Sequence, residues 1–394
     1  MTRKQKKLFA ACYYAFFING MTALIMGAVM PYILSDFNMG YDRGGMLLSF
    51  HSIGNLITSF AGGIISVYLG KRNAIVALSS MTALGFMGMI IFRSPMFLIL
   101  PFFMTGIGRG SVTNISNTVV NDVSDGDTGA LNILHIFFAI GAFIAPFIAS
   151  WIFNMNLGWR YVIGLVATMA SIMSILFANV GIDNTRKSKW KQEKKENISL
   201  DFLKDIDFYI SSGILFFYIG VEYSVNGWIV TYLKDANIVS TSLAQRLLSM
   251  LWIIVIFGRL FSAYISKVVD KRTILLGSSI GTVVFFGLFM MSTSLWTIIG
   301  CILGLGFCLA GIYPTTVSNV GSVLKESQLA MGTLLAIAGL GGIVTPYIIG
   351  IVAEKRGIEK GMLVISVAIT LLFLLSLVNR LRGSRANKFY DLST

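Results

Sequence analysis

The chain has 394 residues, of which 55% are hydrophobic and only 12% charged, with a mean hydropathy of +0.78. Soluble domains carry roughly 25% charged residues, so this composition excludes a water-soluble globular fold, whose interior could not hide so much apolar surface. The formal net charge of +13 does not point to nucleic acid as a partner, because the Lys and Arg fall in short clusters between long apolar runs, the pattern of loops at a membrane surface.

A helix needs about 20 predominantly apolar residues to cross a bilayer. Twelve segments meet this requirement, near 8–34, 44–69, 73–92, 95–121, 129–153, 159–182, 207–233, 243–267, 272–292, 295–322, 329–353 and 360–380. The first follows Arg3, Lys4, Lys6 and Lys7, but its apolar run reaches Leu34. That is longer than a signal-peptide core, so it is expected to be retained as a spanning helix. Strands of an outer-membrane barrel would be shorter and would alternate in polarity, and these runs do neither. Cys12, Cys301 and Cys308 all lie inside apolar segments. The last two are seven residues apart on one helix, about 10 Å along its axis, beyond disulfide reach. His51 and His135 are the only histidines, no metal-ligand spacing occurs, and neither metal nor cofactor is expected.

The loops divide unevenly. One set holds about 21 Lys and Arg: the N-terminal cluster, Lys71 and Arg72, seven in the stretch 183–206, Lys267, Lys271, Arg272, Lys325 and the tail. The other set holds about 8. Cationic loops face the cytoplasm, so both termini and the linker 183–206 are expected there, in a multi-pass protein of the cytoplasmic membrane. The expected domains are an N-terminal bundle over 1–182, the linker 183–206, and a C-terminal bundle over 207–394 with a short tail. The two bundles are related. A shift of 200 residues superposes Gly20 on Gly220, Tyr32 on Tyr232, Lys71-Arg72 on Lys271-Arg272, Gly106 on Gly306, Gly141 on Gly341 and Pro146 on Pro346. With only 6 prolines in the chain, the last match carries weight. Two parallel six-helix repeats, with a solute site near the midplane, form a known transporter organisation.

The segment GIGRGSVTNISNTVVNDVSDGDTGALNILHIFFAIGA at 106–142 carries Gly106, Gly108, Gly110, Asn117, Leu131, Asn132, His135, Phe137, Gly141 and Ala142. The seventh segment reads YIGVEYSVNGWIVTYL, the eighth contains Gly258-Arg259, and the tenth contains AGIYP at 310–314. In these residues the chain resembles the fucose permease-like sugar transporters (the fucose–galactose–glucose:proton symporters) of the major facilitators. The resemblance implies an all-α membrane protein with twelve transmembrane helices in two pseudo-symmetric six-helix bundles, the major facilitator fold. It also implies sugar transport by proton symport. The chain departs from the family in its N half: Thr113 stands where the fourth helix has Glu, and no acid precedes Asp36. The loop motif between helices 2 and 3 survives only as Gly63 and Gly70-Lys71-Arg72, with Val67 and Tyr68 replacing its Asp-Arg. The Gly-Pro element of drug antiporters is absent from helix 5, which reads GAFIAP.

Charges inside a spanning helix are costly and mark functional candidates. Glu222 lies mid-helix with Asn226 one turn on, and is expected to be the proton-coupling group or a hydroxyl acceptor; a structural carboxylate is the competing reading. Arg109, Thr113 and Asn117 are spaced four apart on one helical face. Arg109 would hold an anionic or hydroxyl-rich solute through its guanidinium fork, or would pair with Glu222. Asn19, Asn132, His135, Trp228 and Tyr313 complete the expected solute contacts, each with interhelical hydrogen bonding or packing as the alternative. Lys71, Arg72, Arg259, Lys271 and Arg272 are expected to clamp the inner gate or face anionic lipid. No phosphate-loop motif and no nucleophile–base cluster occurs, which argues against an ATP-driven pump and against an enzyme. The reading is a monomeric secondary transporter that moves a small polar solute, a monosaccharide in the first instance, by alternating access with protons. The alternatives are an anionic solute bound at Arg109 and a non-transporting membrane sensor.

Overall fold

The computed structural model describes residues 3–124, 128–180, 201–320 and 328–391. Residues 183–200 of the expected linker and Lys325 lie outside that set, as do the side chains of Arg385 and Lys388. Every regular element among the described residues is helical: α1 (Arg3–Asp36), α2 (Tyr41–Leu69), α3 (Lys71–Ile91), α4 (Ile99–Val123), α5 (Thr128–Asn154), α6 (Trp159–Asn179), α7 (Ile206–Asp235), α8 (Thr241–Ile265), α9 (Lys271–Met291), α10 (Leu295–Ala310), α11 (Ile312–Asn319), α12 (Gln328–Arg356) and α13 (Ile358–Asp391). Short 3-10 turns precede α4 at Pro95–Leu98 and α7 at Asp201–Lys204. Taking α10 and α11 as one span, twelve described helices are long and apolar enough to cross a membrane.

The helices outrun the apolar segments that announce them. α1 begins at Arg3 and α13 runs to Asp391, because backbone hydrogen bonding continues past the point where lipid demands apolar side chains. Gly70, the only residue between α2 and α3, has φ 78°, a conformation that costs glycine nothing. α9 starts at Asp270, whose carboxylate accepts from the backbone N–H of Arg272 at 3.1 Å and of Thr273 at 3.3 Å, an N-cap. Pro146 and Pro346 both lie inside helices, α5 and α12. The tenth span is broken. Pro314 cannot donate a backbone N–H and its ring clashes with the carbonyl four residues back, at Ala310. α10 accordingly stops at Ala310 and α11 restarts at Ile312. The equivalent position of the first repeat is Asn114, and α4 runs through it unbroken.

The chain forms two compact units. The first gathers α1–α6 with Asn226–Lys234 of α7 and Ser240–Ser249 of α8; the second gathers the remainder from α7 onward. Within the first, α1 lies against α5 and α2 against α4 at backbone contact. A Cβ at Gly141 would collide with the Phe17 carbonyl, one at Gly20 with the Phe138 carbonyl, and one at Gly106 with the His51 carbonyl. Small residues allow this approach where lipid offers no hydrophobic force between helices. The second unit repeats the device: a Cβ at Gly341 of α12 would collide with the Phe216 carbonyl of α7. Phe202, Phe208, Leu215, Ala330, Leu334 and Ala338 form a buried core there.

The Lys-Arg pairs at the starts of α3 and α9 staple helix ends in both units. Lys71 pairs with Asp122 near the end of α4, and Arg72 donates to the Ala178 carbonyl at the end of α6. In the second unit Lys271 donates to the Ser318 carbonyl of α11 at 3.2 Å. Arg272 donates to the Asn379 carbonyl of α13 at 3.5 Å and to Asp207 at 3.2 Å. Cations placed on the last carbonyls of a helix complement its dipole. Arg382 also reaches Asp207, at 3.1 Å, and Arg380 lies 3.7 Å from Asp270.

Candidate functional site

Each unit holds a cluster of polar side chains in its membrane-spanning interior. In the first, α1 and α4 meet through Asn19, whose Nδ2 donates to Thr113 Oγ1 at 2.8 Å. Thr113 Oγ1 in turn donates to the Arg109 carbonyl at 3.0 Å, and Asn117 Nδ2 to the Thr113 carbonyl at 2.8 Å. The helical repeat of four thus places Arg109, Thr113 and Asn117 on one face, with Asn19 upon it. Asn19 is 4% exposed, and its Oδ1 accepts no hydrogen bond from the described residues. Arg109 is half-buried and lies within electrostatic range of His51 on α2. The His51 ring is buried, with Nδ1 2.9 Å from Thr105 Oγ1. His135 on α5 sets its ring edge-on to Phe16, centroids 5.5 Å apart, and both Asn132 and His135 are exposed.

The second cluster centres on Glu222. Tyr218, one turn earlier on α7 and 3% exposed, donates its hydroxyl to the Glu222 carboxylate. Its ring centroid stands 6.2 Å from that of Tyr313 on α11. Arg259 of α8 is close enough to interact electrostatically with both tyrosine hydroxyls, and Glu222 does the same. Tyr223 flanks the group and packs against Gly342 of α12. The arrangement joins one acid, one cation and three phenols, a set that can take up a proton, offer hydroxyl donors and acceptors, and stack on a ring.

The structure sorts the expected residues. It brings Asn19, Arg109, Thr113 and Asn117 together in one cluster, and Glu222 with Tyr313 in the other. Arg259 joins Glu222 in the interior of its unit. Arg109 and Glu222 belong to different units. Asn226 is 8% exposed, and its backbone carbonyl lies against Gly27 of α1. Trp228 is fully buried, at 0%, against Tyr41, with centroids 6.1 Å apart, and against Gly44. An indole so enclosed presents no exposed ring face in this structure. Around these two residues lie contacts that the apolar pattern does not announce. Gln245 of α8 donates to the Ala28 carbonyl at 2.7 Å, Ser150 and Ser242 are 2.7 Å apart, and Arg246 Nε donates to Ser150 Oγ at 3.1 Å. Tyr218 was legible, four residues before Glu222, whereas Arg259 is brought in by the crossing of α8 with α10.

Twelve apolar helices, with buried polar clusters and no strand among the described residues, define a polytopic helical membrane protein. The chain belongs to the Major Facilitator Superfamily, whose model matches residues 12–330. It is accordingly a transporter of that superfamily and not an enzyme. Among similar proteins is a TsgA homolog of Buchnera aphidicola subsp. Baizongia pistaciae, 23% identical over 374 residues and covering 93% of each chain. A TsgA homolog of Yersinia pestis (strain Pestoides F) is 21% identical over 360 residues, 89% of each chain. The fold is similar to that of the nucleoside transporter NupG, with a TM-score of 0.75 at 16% identity, over 96% of this chain and 98% of that one. It is also similar to a D-xylose-proton symporter, with a TM-score of 0.75 at 13% identity, over 94% and 96%.

Proposed function

We propose that this chain is a secondary active transporter of the cytoplasmic membrane that moves a small hydroxyl-rich solute, a monosaccharide in the first instance, by alternating access coupled to protons through Glu222. Both termini and the linker 183–206 face the cytoplasm, by the bias of Lys and Arg. The observation that carries the reading is the Glu222 cluster: a carboxylate mid-span, hydrogen-bonded by Tyr218, with Tyr313 beside it. Burial disfavours an ionised carboxylate while a hydrogen-bond donor or a cation favours it, so such a group can exchange a proton as its surroundings change. Phenol hydroxyls and a ring face are the groups that recognise a sugar. The nucleoside transporter and the xylose–proton symporter of similar fold carry solutes with a hydroxylated five-carbon unit, which supports the same solute class here.

A second reading, transport of an acidic sugar or other carboxylate, is favoured by Arg109 on the Asn19–Thr113 face, whose guanidinium suits a carboxylate, while the Asn19 Oδ1 beside it can accept only from a solute hydroxyl.

The test is transport in proteoliposomes with labelled pentoses, hexoses, hexuronates and nucleosides. Glu222→Gln mimics the protonated acid but cannot release a proton. It is expected to retain solute counterflow and to lose accumulation driven by a proton gradient. Accumulation by Glu222→Gln at the wild-type level removes Glu222 from the coupling role, and absence of counterflow for every solute in wild type favours the sensor.

A further inference from the structure

Two threonines of α4 fix the hydrogens of the side chains that meet them. Thr105 Oγ1 donates its one hydrogen to the Phe102 carbonyl at 2.7 Å, and Thr113 Oγ1 donates its own to the Arg109 carbonyl at 3.0 Å. Each hydroxyl can then only accept from its partner on a neighbouring helix. His51 of α2, whose Nδ1 stands 2.9 Å from Thr105 Oγ1, therefore carries its hydrogen on Nδ1, and Asn19 of α1 turns its Nδ2 to Thr113. The neutral imidazole keeps a lone pair on Nε2, and the amide keeps its lone pairs on Oδ1. Neither atom accepts a hydrogen bond from the described residues, although His51 is 5% exposed and Asn19 4%. Buried acceptors left empty are few in native proteins, and each calls for an explanation.

The partners of these two acceptors lie to either side of Arg109. Thr105, Arg109 and Thr113 occupy successive turns on one face of α4, with the threonines about 12 Å apart along the axis. Arg109 is half-buried between them and within electrostatic range of His51. Packing does not require this set. The shift of 200 residues keeps the glycine of the α2–α4 contact, Gly106 on Gly306, but sets Leu251, Leu309 and Ile219 in the places of His51, Arg109 and Asn19. The second repeat makes the equivalent approach, Gly306 against the Leu251 carbonyl, with apolar side chains.

We propose that His51 is a specificity-determining residue of a solute site in the first unit, and that this site takes a polyhydroxylated carboxylate. The Arg109 guanidinium holds the carboxylate, while His51 Nε2 and Asn19 Oδ1 each accept from a hydroxyl. The inference rests on the reading of the Arg109 face as an acid-binding site and narrows it. Arg109 offers five donors and no acceptor, whereas Nε2 and Oδ1 only accept, so the set is complementary to a solute that carries both kinds of group. A neutral sugar lacks the anion that suits the guanidinium fork. A plain carboxylate leaves two buried acceptors empty.

Equilibrium binding to the purified protein is measured for three ring compounds, D-galacturonate, D-galactose and cyclohexanecarboxylate. Wild type is expected to bind galacturonate at least about tenfold more tightly than either of the others. His51→Phe is expected to weaken galacturonate about tenfold, the effect of one hydrogen bond, and to leave cyclohexanecarboxylate unchanged. His51→Gln, which keeps an acceptor, is expected to lose less. A merely structural histidine would weaken all three compounds alike, and that result overturns the inference. Equal binding of galacturonate and cyclohexanecarboxylate by wild type rejects the hydroxyl contacts, and the inference, but leaves Arg109 as an anion site. A preference for galactose rejects the acid reading and the inference together, and leaves a neutral solute at Glu222 standing. Binding of none of the three likewise rejects both. If neither His51 variant folds, galacturonate analogues lacking one hydroxyl each decide on wild type alone: at least one is expected to bind about tenfold more weakly, and equal affinity for all of them overturns the inference.

Discussion

At the scale of single residues, a charge in an apolar run was the signal that the sequence displayed best. Glu222 and Arg109 stand out because each interrupts a stretch that lipid must accept, and Thr113 and Asn117 follow from Arg109 by the helical repeat. What each charge meets was not legible, since it depends on which helices cross and at what height. Arg259 read as a residue toward the end of its helix until the contact of Gly258 with Ala310 placed it beside the tyrosines. Trp228 shows the same limit: an aromatic near a polar site has the chemistry to stack on a sugar, and the crossing that buries its ring beside Tyr41 is not written in the apolar pattern. Arg109 decides between the two solute classes. Arg109→Lys preserves charge but loses the bidentate fork. For a neutral sugar the variant is expected to retain measurable binding. For an anionic solute held by the fork, it is expected to lose about 1.5–3 kcal/mol of affinity, the contribution of a charge-assisted hydrogen bond. Binding of matched neutral and acidic sugars to wild type and Arg109→Lys measures the difference, and an equal loss for both rejects an anion-specific role.

At the scale of elements, helix number and order were legible from length and hydropathy, but ends and breaks were not. Apolar patterning marks where lipid begins, not where backbone hydrogen bonding stops, so α1 and α13 overran their segments. The break at Gly311 was encoded in Pro314, one of the 6 prolines of the chain, yet Pro146 and Pro346 sit inside continuous helices. Proline alone therefore does not predict a break; here α8 also presses on Gly311 through Ser262. The same comparison of magnitudes separates two kinds of interhelical contact. Lys71 and Asp122 are partly exposed, with side-chain exposures of 25% and 36%, so their pair is screened and contributes about 0.2–1 kcal/mol. Gly141 lies against the Phe17 backbone, which cannot move aside as a flexible side chain would, and overpacking costs about 1–3 kcal/mol or more. Gly141→Val is therefore expected to lower thermal stability in detergent clearly more than Lys71→Met, with Gly341→Val behaving like Gly141→Val. A destabilisation by Lys71→Met as large as that by Gly141→Val would contradict this ranking.

At the scale of the whole molecule, the repeat was legible because its punctuation, Gly, Pro and Lys-Arg, survives where apolar identities drift. Both repeats use that punctuation for the same physical tasks, close crossing and stapling. Membrane orientation rests on the charge bias. A cysteine at Ser188 is expected to escape an impermeant thiol reagent applied outside intact cells, whereas one at Glu359, exposed in the first turn of α13, is expected to react; reversal of that pattern overturns the proposed topology. The staples also bear on biogenesis. The first repeat can close Lys71–Asp122 and Arg72–Ala178 as soon as residue 179 has left the ribosome, with none of the second repeat yet made. The second cannot do likewise: Asp207, at its start, waits for Arg272 and then for Arg382, near the end of translation. Domains made first tend to fold first. A nascent chain halted in the linker would already carry a stapled half, whereas one halted before residue 379 would leave Asp207 without Arg382 and Arg272 without the Asn379 carbonyl of α13. Premature termination late in the gene would thus damage the repeat that holds Glu222 and spare the one that holds Arg109.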